Sequence, residues 1–152
     1  MASPADVERV TALLGRAPRA EFDVVVRAGD GEPVVIRNAP LLADGTPMPT
    51  RYWLVGADAV RAVSRLEADG GVRAAAAAVD PAALDAAHAV YARERTAAIP
   101  EGWSGPGPFG GVGGTRRGVK CLHAHYAWYL AGGDDPVGEW VAARLAAPEP
   151  AP

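Results

Sequence analysis

The chain has 152 residues, of which 49% are hydrophobic and 22% are charged, and its formal net charge is -3. This length suits one domain with a substantial core, and the apolar share is too high for a chain that is disordered throughout. The acidic balance argues against a general nucleic-acid binder, which needs a basic excess, so no nucleic-acid partner is expected.

The sequence favours a cytoplasmic location. The residues after Met1 lack the cationic start and apolar run of a secretory signal, and no run of about 18 apolar residues could cross a membrane, so no membrane partner is expected. Cys121 is the only cysteine, which excludes an internal disulfide and agrees with a reducing compartment.

The first half of the chain predicts one helix and a hairpin. Ser3 and Pro4 are typical of a helix start, and Gly15 of its end. Two β-rich runs, 22–28 and 33–37, flank a Gly-Asp-Gly-Glu turn, which indicates an antiparallel hairpin. Its face formed by Phe22, Val24 and Val26 should rest on helices, and residues 52–55 could form a third strand.

The second half is predicted to be helical apart from one loop. Helices are expected at 57–68, 72–79, from 81 to before Pro100, 119–131 and 136–145, from their apolar spacing and their proline and glycine boundaries. We therefore predict a single α+β domain over residues 1–147, with a small antiparallel sheet of two or three strands packed against about five helices. Helix 119–131 should be central and buried, and residues 148–152 a disordered tail.

A glycine-rich loop precedes that central helix and predicts an anion site. Six glycines lie between Gly105 and Gly114, and a helix N-terminus with nearby cations attracts phosphate or carboxylate. The pattern matches neither the P-loop nor the dinucleotide fingerprint. The alternative is a flexible surface loop whose arginines are solvated or pair with acids. The candidate ligand-binding residues are Gly111, Gly113, Gly114, Arg116, Arg117 and Lys120, with Arg51 facing them from the proline-rich loop 44–53.

Cys121, His123 and His125 are candidate catalytic residues. Cys121 is expected in the first helical turn, where the dipole and the cations favour a thiolate, and His125 lies one turn later on the same face. The alternative is a buried free cysteine with hydrogen-bonded core histidines.

A metal site is not predicted, and no cofactor is assigned. Residues two apart on a helix point to nearly opposite sides, so Cys121, His123 and His125 cannot chelate together there, and paired-cysteine spacings are absent. The remaining possibility is a zinc site in which Cys121 and His125 supply two ligands and His88 supplies a third. His88 is instead expected to complete an apolar helix face with Leu84 and Tyr91, and residues 91–95 to form a solvated helix end.

A family resemblance is carried by the segments GVGG, GVKCLHAHYAWYLAGGDDPVGEWV and PLLADGTPMPTRYWLVG and by the Leu66-Glu67 segment. In these segments the chain resembles the bacterial domain-of-unknown-function family 501. The resemblance covers nearly the whole chain and implies no activity. It implies a gene neighbourhood with a septum-formation initiator and an exopolyphosphatase-type phosphatase, which is association without mechanism.

Three hypotheses follow. The first is an anion-binding protein, either a binder or an enzyme, whose partner is a phosphate-containing small molecule. The second is a non-catalytic interaction module that docks a protein partner through exposed Trp103 and Phe109, in cell division or envelope work. The third is a thiol enzyme that depends on Cys121.

Overall fold

The computed structural model describes residues 1–147, which form a three-stranded antiparallel sheet and six α-helices, so the predicted α+β fold is confirmed. The residues predicted as a tail, 148–152, lie outside the described part of the chain. The elements, in chain order, are α1 (Pro4–Leu14), β1 (Phe22–Arg27), β2 (Pro33–Asn38), β3 (Tyr52–Leu54), α2 (Ala57–Ala68), α3 (Gly71–Ala78), α4 (Pro81–Ala97), a 3-10 turn (Val112–Gly114), α5 (Leu122–Leu130) and α6 (Pro136–Ala146).

The predicted hairpin and third strand are both present, in the sheet order β1-β2-β3. Gly31 has a φ of +87°, which the hairpin turn requires and which a side chain would disfavour. The Ala28 N–H donates to the Glu32 carbonyl at 2.9 Å and closes the turn. The local sequence therefore sets the register of these two strands.

The prediction of one continuous apolar face on β1 is wrong for Val26. The pairing with β2 shifts between Val24 and Val26, as in a β-bulge. An extra residue interrupts the alternation of side chains, so residues beyond it change sides. Phe22 and Val24 pack in the cluster beside α1, whereas Val26 packs in the main core.

The sheet separates two hydrophobic clusters of different size. Ile36 packs with Val10 of α1 on one side, and its neighbour Val35 packs on the other side with the main core. This main core contains Leu122, Ala127 and Trp128 of α5 together with residues of α2, α3, α4 and α6. Helix α5 is therefore central, as predicted, and the α1 layer is a smaller cover.

Helix α5 begins three residues later than predicted. Cys121 has φ -150° and ψ 152°, so it is an extended N-cap residue and Leu122 is the first helical residue. Val119 and Lys120 belong to the preceding loop. Helical spacing therefore does not apply to Cys121, which changes the residues its side chain can meet. Among the described helices, none is long and apolar enough to cross a membrane.

Candidate functional site

Two buried side chains of α4 fasten the glycine-rich loop to the core; we call residues 110–120 the cationic loop. The Val112 N–H donates to His88 Nδ1 at 3.0 Å, and His88 Nε2 lies 2.9 Å from the Gly118 carbonyl. Because Nδ1 accepts, the ring proton is on Nε2, which donates to Gly118. Arg95 Nη2 donates to the Gly110 carbonyl at 2.7 Å. The loop is therefore held at its beginning, middle and end.

Close packing against α4 explains part of the glycine content. A Cβ on Gly111 would lie 2.4 Å from His88 Nδ1, so this position has room for glycine alone. Gly113 has a φ of +69°, in the left-handed region that favours glycine. The N–H groups of Gly111, Val112 and Gly114 all donate within the protein. An anion at this loop would therefore depend mainly on side chains.

Three cations of the cationic loop face solvent. Arg116, Arg117 and Lys120 are exposed, and no carboxylate among residues 1–147 lies within 4.0 Å of their charged nitrogens. The Arg116 guanidinium lies 5.8 Å from the ring centroid of Phe109. Among residues 1–147, these arginines therefore do not pair with nearby acids, which was the alternative expectation.

Arg51, the other candidate ligand residue, is turned towards the sheet. Its Nη1 donates to the Asn38 carbonyl at 2.7 Å, and its Nε is buried without a hydrogen-bond partner among the described residues. Burial lowers the pKa of the Arg51 guanidinium. Arg95 connects the two loops instead, because it also donates to the Pro49 carbonyl at 2.8 Å.

The N-terminus of α5 already holds a carboxylate of the chain itself. Glu67, from the last turn of α2, accepts the Leu122 N–H at 2.7 Å through Oε2. The same oxygen lies 3.2 Å from Nδ1 of His123, and the other ring nitrogen of His123 lies 3.0 Å from Ser64 Oγ. The helix N-terminus thus attracts an anion, as expected from its dipole, but here this anion is Glu67.

Cys121 completes a group of three side chains at this position. One ligand atom each from Glu67, Cys121 and His123 lies within 4.8 Å of the others, and all three residues are partly exposed. We call these three residues the outer cluster. The structure therefore brings together two of the three candidate catalytic residues, Cys121 and His123, with Glu67 as their partner.

His125, the third catalytic candidate, lies elsewhere in the interior. It is 1% exposed, and its Nδ1 lies 2.6 Å from Oδ2 of Asp135, which is also 1% exposed. Asp135 caps α6, because its other oxygen accepts the N–H groups of Val137 and Gly138. His88 meets the His125 ring edge-on at a centroid distance of 5.6 Å. His125 therefore matches the alternative of a hydrogen-bonded core histidine.

The prediction that residues 91–95 form a solvated helix end is wrong for Tyr91 and Arg95, which are 0% and 1% exposed. The Tyr91 hydroxyl accepts the N–H groups of Arg51 at 2.6 Å and Tyr52 at 3.2 Å. Burial raises the pKa of Tyr91 to about 12. Burial also lowers the pKa of the Arg95 guanidinium. We call His88, Tyr91, Arg95, His125 and Asp135 the buried network.

Glu94, on the surface of α4, also connects this helix to neighbouring elements through hydrogen bonds. Its two carboxylate oxygens accept the Tyr52 hydroxyl at 2.5 Å and the Trp128 indole N–H at 3.0 Å. Burial, together with the hydrogen bond to Glu94, raises the pKa of Tyr52 to about 12. Glu94 therefore joins β3, α4 and α5, which is a structural role.

Sequence reasoning missed the acids that complete both groups. Glu67 is 56 residues from His123 and Asp135 is 10 residues from His125, so the spacing within one helix gives no sign of either pairing. Arg95 could have been found, because it continues the helical repeat of Leu84, His88 and Tyr91 by one further turn. Its charge suggested solvent, whereas in the interior its two Nη atoms donate to backbone carbonyls and its Nε has no partner among the described residues.

The family model described as "Protein of unknown function (DUF501)" matches residues 24–143. The matched region contains β2, β3 and all of β1 except Phe22 and Asp23, together with the cationic loop, the outer cluster and the buried network. No curated protein and no solved structure matches the chain.

Proposed function

The chain belongs to the DUF501 family of proteins of unknown function, and we propose that it binds a small anionic ligand, of the phosphate-containing class, at the cationic loop. The observation that carries the proposal is the grouping of Arg116, Arg117 and Lys120. These three cations lie within five positions, are exposed, and have no carboxylate partner among residues 1–147. Phosphate groups favour such clusters because arginine can donate in a bidentate manner.

The anchoring of the loop supports this proposal. His88 and Arg95 hold the backbone at Gly110, Val112 and Gly118, so the loop backbone is ordered before a ligand arrives. Binding then costs less conformational entropy than it would on a flexible loop. The side chains of Arg116, Arg117 and Lys120 still have to be immobilised, which favours a multiply charged ligand over a single carboxylate.

A thermal-shift titration tests the proposal. Phosphate and pyrophosphate at millimolar concentration should raise the Tm of the wild-type protein, because a ligand that binds the native state stabilises it. The triple variant R116A/R117A/K120A should lose this shift. The matched control, R19A/R73A/R93A, removes three exposed arginines elsewhere and should keep it. Equal shifts in both variants, or no shift in the wild type, would refute the site.

A second candidate function is a protein-interaction module, and it is favoured by the exposure of Phe109. This side chain is 72% exposed beside Arg116. Trp103 is less available, because it is 40% exposed, packs on Gly105 and donates its indole N–H to the Pro106 carbonyl at 3.1 Å. Affinity capture with the wild type and with Phe109→Ala would test this candidate; a partner retained equally by both proteins would count against it.

A further inference from the structure

We propose that the outer cluster, Glu67, Cys121 and His123, is a binding site for a d-block divalent metal ion of the Zn²⁺ class. The site supplies a carboxylate, a thiolate and an imidazole, with a fourth coordination position left for water or an exogenous ligand. It shares no ligand residue with the proposed anion site at Arg116, Arg117 and Lys120, so it does not depend on the proposed anion binding.

The local backbone explains how a Cys-x-His pair can chelate. Two residues spaced by two on a helix would diverge, but Cys121 precedes the helix in an extended conformation. Its side chain can therefore approach that of His123, which is the second residue of α5. Glu67 comes from the last turn of α2, so the three ligands come from two packed helix ends rather than from one flexible segment.

The distances suit tetrahedral zinc. Zinc bonds of about 2.0–2.3 Å to O, N and S ligands separate neighbouring ligand atoms by roughly 3.3–3.7 Å. Nδ1 of His123 and Oε2 of Glu67 are 3.2 Å apart, close to one edge of such a tetrahedron. The thiol sulfur lies within 4.8 Å of one ligand atom of each. The three ligand atoms are therefore close enough for side-chain rotation to direct them towards one ion.

Hydrogen bonds to Ser64 and to the Leu122 N–H already orient two of the ligands, His123 and Glu67. If Nδ1 of His123 binds the metal, its Nε2 carries the ring proton and donates to Ser64 Oγ at 3.0 Å. Metal-binding histidines characteristically donate their other ring N–H in this way. Oε2 of Glu67 accepts the Leu122 N–H at 2.7 Å, which fixes the carboxylate and leaves this oxygen a second lone pair for the ion. These contacts belong to the chain as it stands and need no rearrangement of α2 or α5.

The ligand types select the metal class. A thiolate with an imidazole suits zinc and related ions, whereas magnesium and calcium prefer oxygen ligands throughout. One thiolate and one carboxylate would balance the two charges of the ion, and the thiol proton would pass to solvent on binding. Three protein ligands with an open position are typical of catalytic rather than structural zinc sites.

The experiment is a titration of the full chain with Zn²⁺ and with Co²⁺ as a spectroscopic probe. One ion should bind per chain, and the Co²⁺ form should show thiolate-to-metal charge transfer and the intense visible bands of tetrahedral cobalt. Cys121→Ser should abolish the charge-transfer band. Cys121→Ser, His123→Ala and Glu67→Gln should each weaken Zn²⁺ binding more than about 100-fold, since loss of a ligand should exceed the 10–100-fold cost of losing an outer contact.

Two further variants separate a built site from adventitious binding. Ser64→Ala removes only the contact to Nε2 of His123 and should weaken binding about tenfold. Asp69→Asn removes an exposed acid two residues beyond Glu67 and should leave the affinity unchanged. Absence of stoichiometric binding, a Co²⁺ spectrum without thiolate charge transfer, or equal Zn²⁺ affinity in the wild type and Cys121→Ser would overturn the proposal. Circular dichroism of each variant confirms that the comparison is made on folded protein.

Discussion

His123 and His125 are two residues apart on α5, yet they have opposite environments. His125 is 1% exposed, and its hydrogen bond to Asp135 lies wholly inside the protein. The side chain of His123 is 26% exposed, as is that of Glu67 beside it, and both lie next to Cys121. The outer cluster can therefore meet a solute, whereas the residues of the buried network contact other parts of the chain.

The difference shows that residue type alone does not identify a reactive site. The buried network contains two histidines, a tyrosine, an arginine and an aspartate, which is a set that could serve in catalysis. Most of its side-chain polar atoms, however, form hydrogen bonds with the backbone of the cationic loop, of Pro49, of β3 or of α6. Buried polar groups with such partners stabilise one arrangement of the chain, so substitutions there should chiefly affect stability.

The largest effect should come from Asp135→Ala, which attacks the buried network at the start of α6. It removes the N-cap of α6 and leaves Nδ1 of His125 without its partner. We expect the free energy of unfolding to fall by about 3 kcal/mol, measured by urea unfolding. Asp134→Ala, at the exposed neighbouring position, is the control and should change it by less than about 0.5 kcal/mol. Similar losses in both variants would contradict a structural role for Asp135.

The next effect should come from Arg95→Met, which keeps the aliphatic length but removes the donors to Pro49 and Gly110. The carbonyls of Pro49 and Gly110 both lose a charged partner, so the expected loss of unfolding free energy is about 2 kcal/mol. Arg93→Met, two residues away on the exposed side of α4, is the matched control. If Arg93→Met is equally destabilising, the loops are not held by Arg95.

A smaller effect concerns pH and Tyr52. The pKa of Tyr52 is about 12 in the folded protein, compared with the ordinary value of 10.0 expected for the unfolded chain. The stabilisation from this hydroxyl is therefore complete below pH 10 and is lost as the pH rises through 12. Between about pH 9 and pH 11 the wild type should lose about 1 kcal/mol more unfolding free energy than Tyr52→Phe. Parallel pH curves for the two proteins would contradict the burial of this hydroxyl beside Glu94.

The smallest effect on stability should come from the outer cluster. His123→Ala removes only partly exposed contacts to Glu67 and Ser64, so the unfolding free energy should change by about 0.5 kcal/mol in metal-free buffer. A loss as large as that of Asp135→Ala would mean that the outer cluster is structural as well, and the contrast between the two regions would fail.

The elements of the fold could be predicted because their determinants are local. Gly31 fixes the hairpin turn, and Asp80-Pro81 and Asp135-Pro136 start α4 and α6 as their sequences indicate. The start of α5 could not be predicted in this way, because its first N–H is satisfied by Glu67 from another helix. This tertiary contact, and the bulge in β1, depend on packing that no local pattern records.

The candidate site could be predicted only in part, because its residue types are visible in the sequence but its tertiary contacts are not. The sequence identifies Cys121, His123 and the cations of the cationic loop as unusual, but the expected pairing of Cys121 with His125 assumes that Cys121 is helical. Because it is extended, its neighbours are His123 and Glu67. Anion binding by Arg116, Arg117 and Lys120 stays a prediction, because these side chains face solvent and no contact among residues 1–147 tests it.

The most direct test of the accessible outer cluster is the rate at which iodoacetamide alkylates Cys121 in the native protein, with and without Zn²⁺. Cys121 is the only cysteine, so mass spectrometry reports on this site alone. We predict that the native thiol reacts, that stoichiometric Zn²⁺ slows the reaction by at least about tenfold because the thiolate is occupied, and that Mg²⁺ does not. A thiol that reacts only after unfolding, or at a rate unaffected by Zn²⁺, would contradict the account.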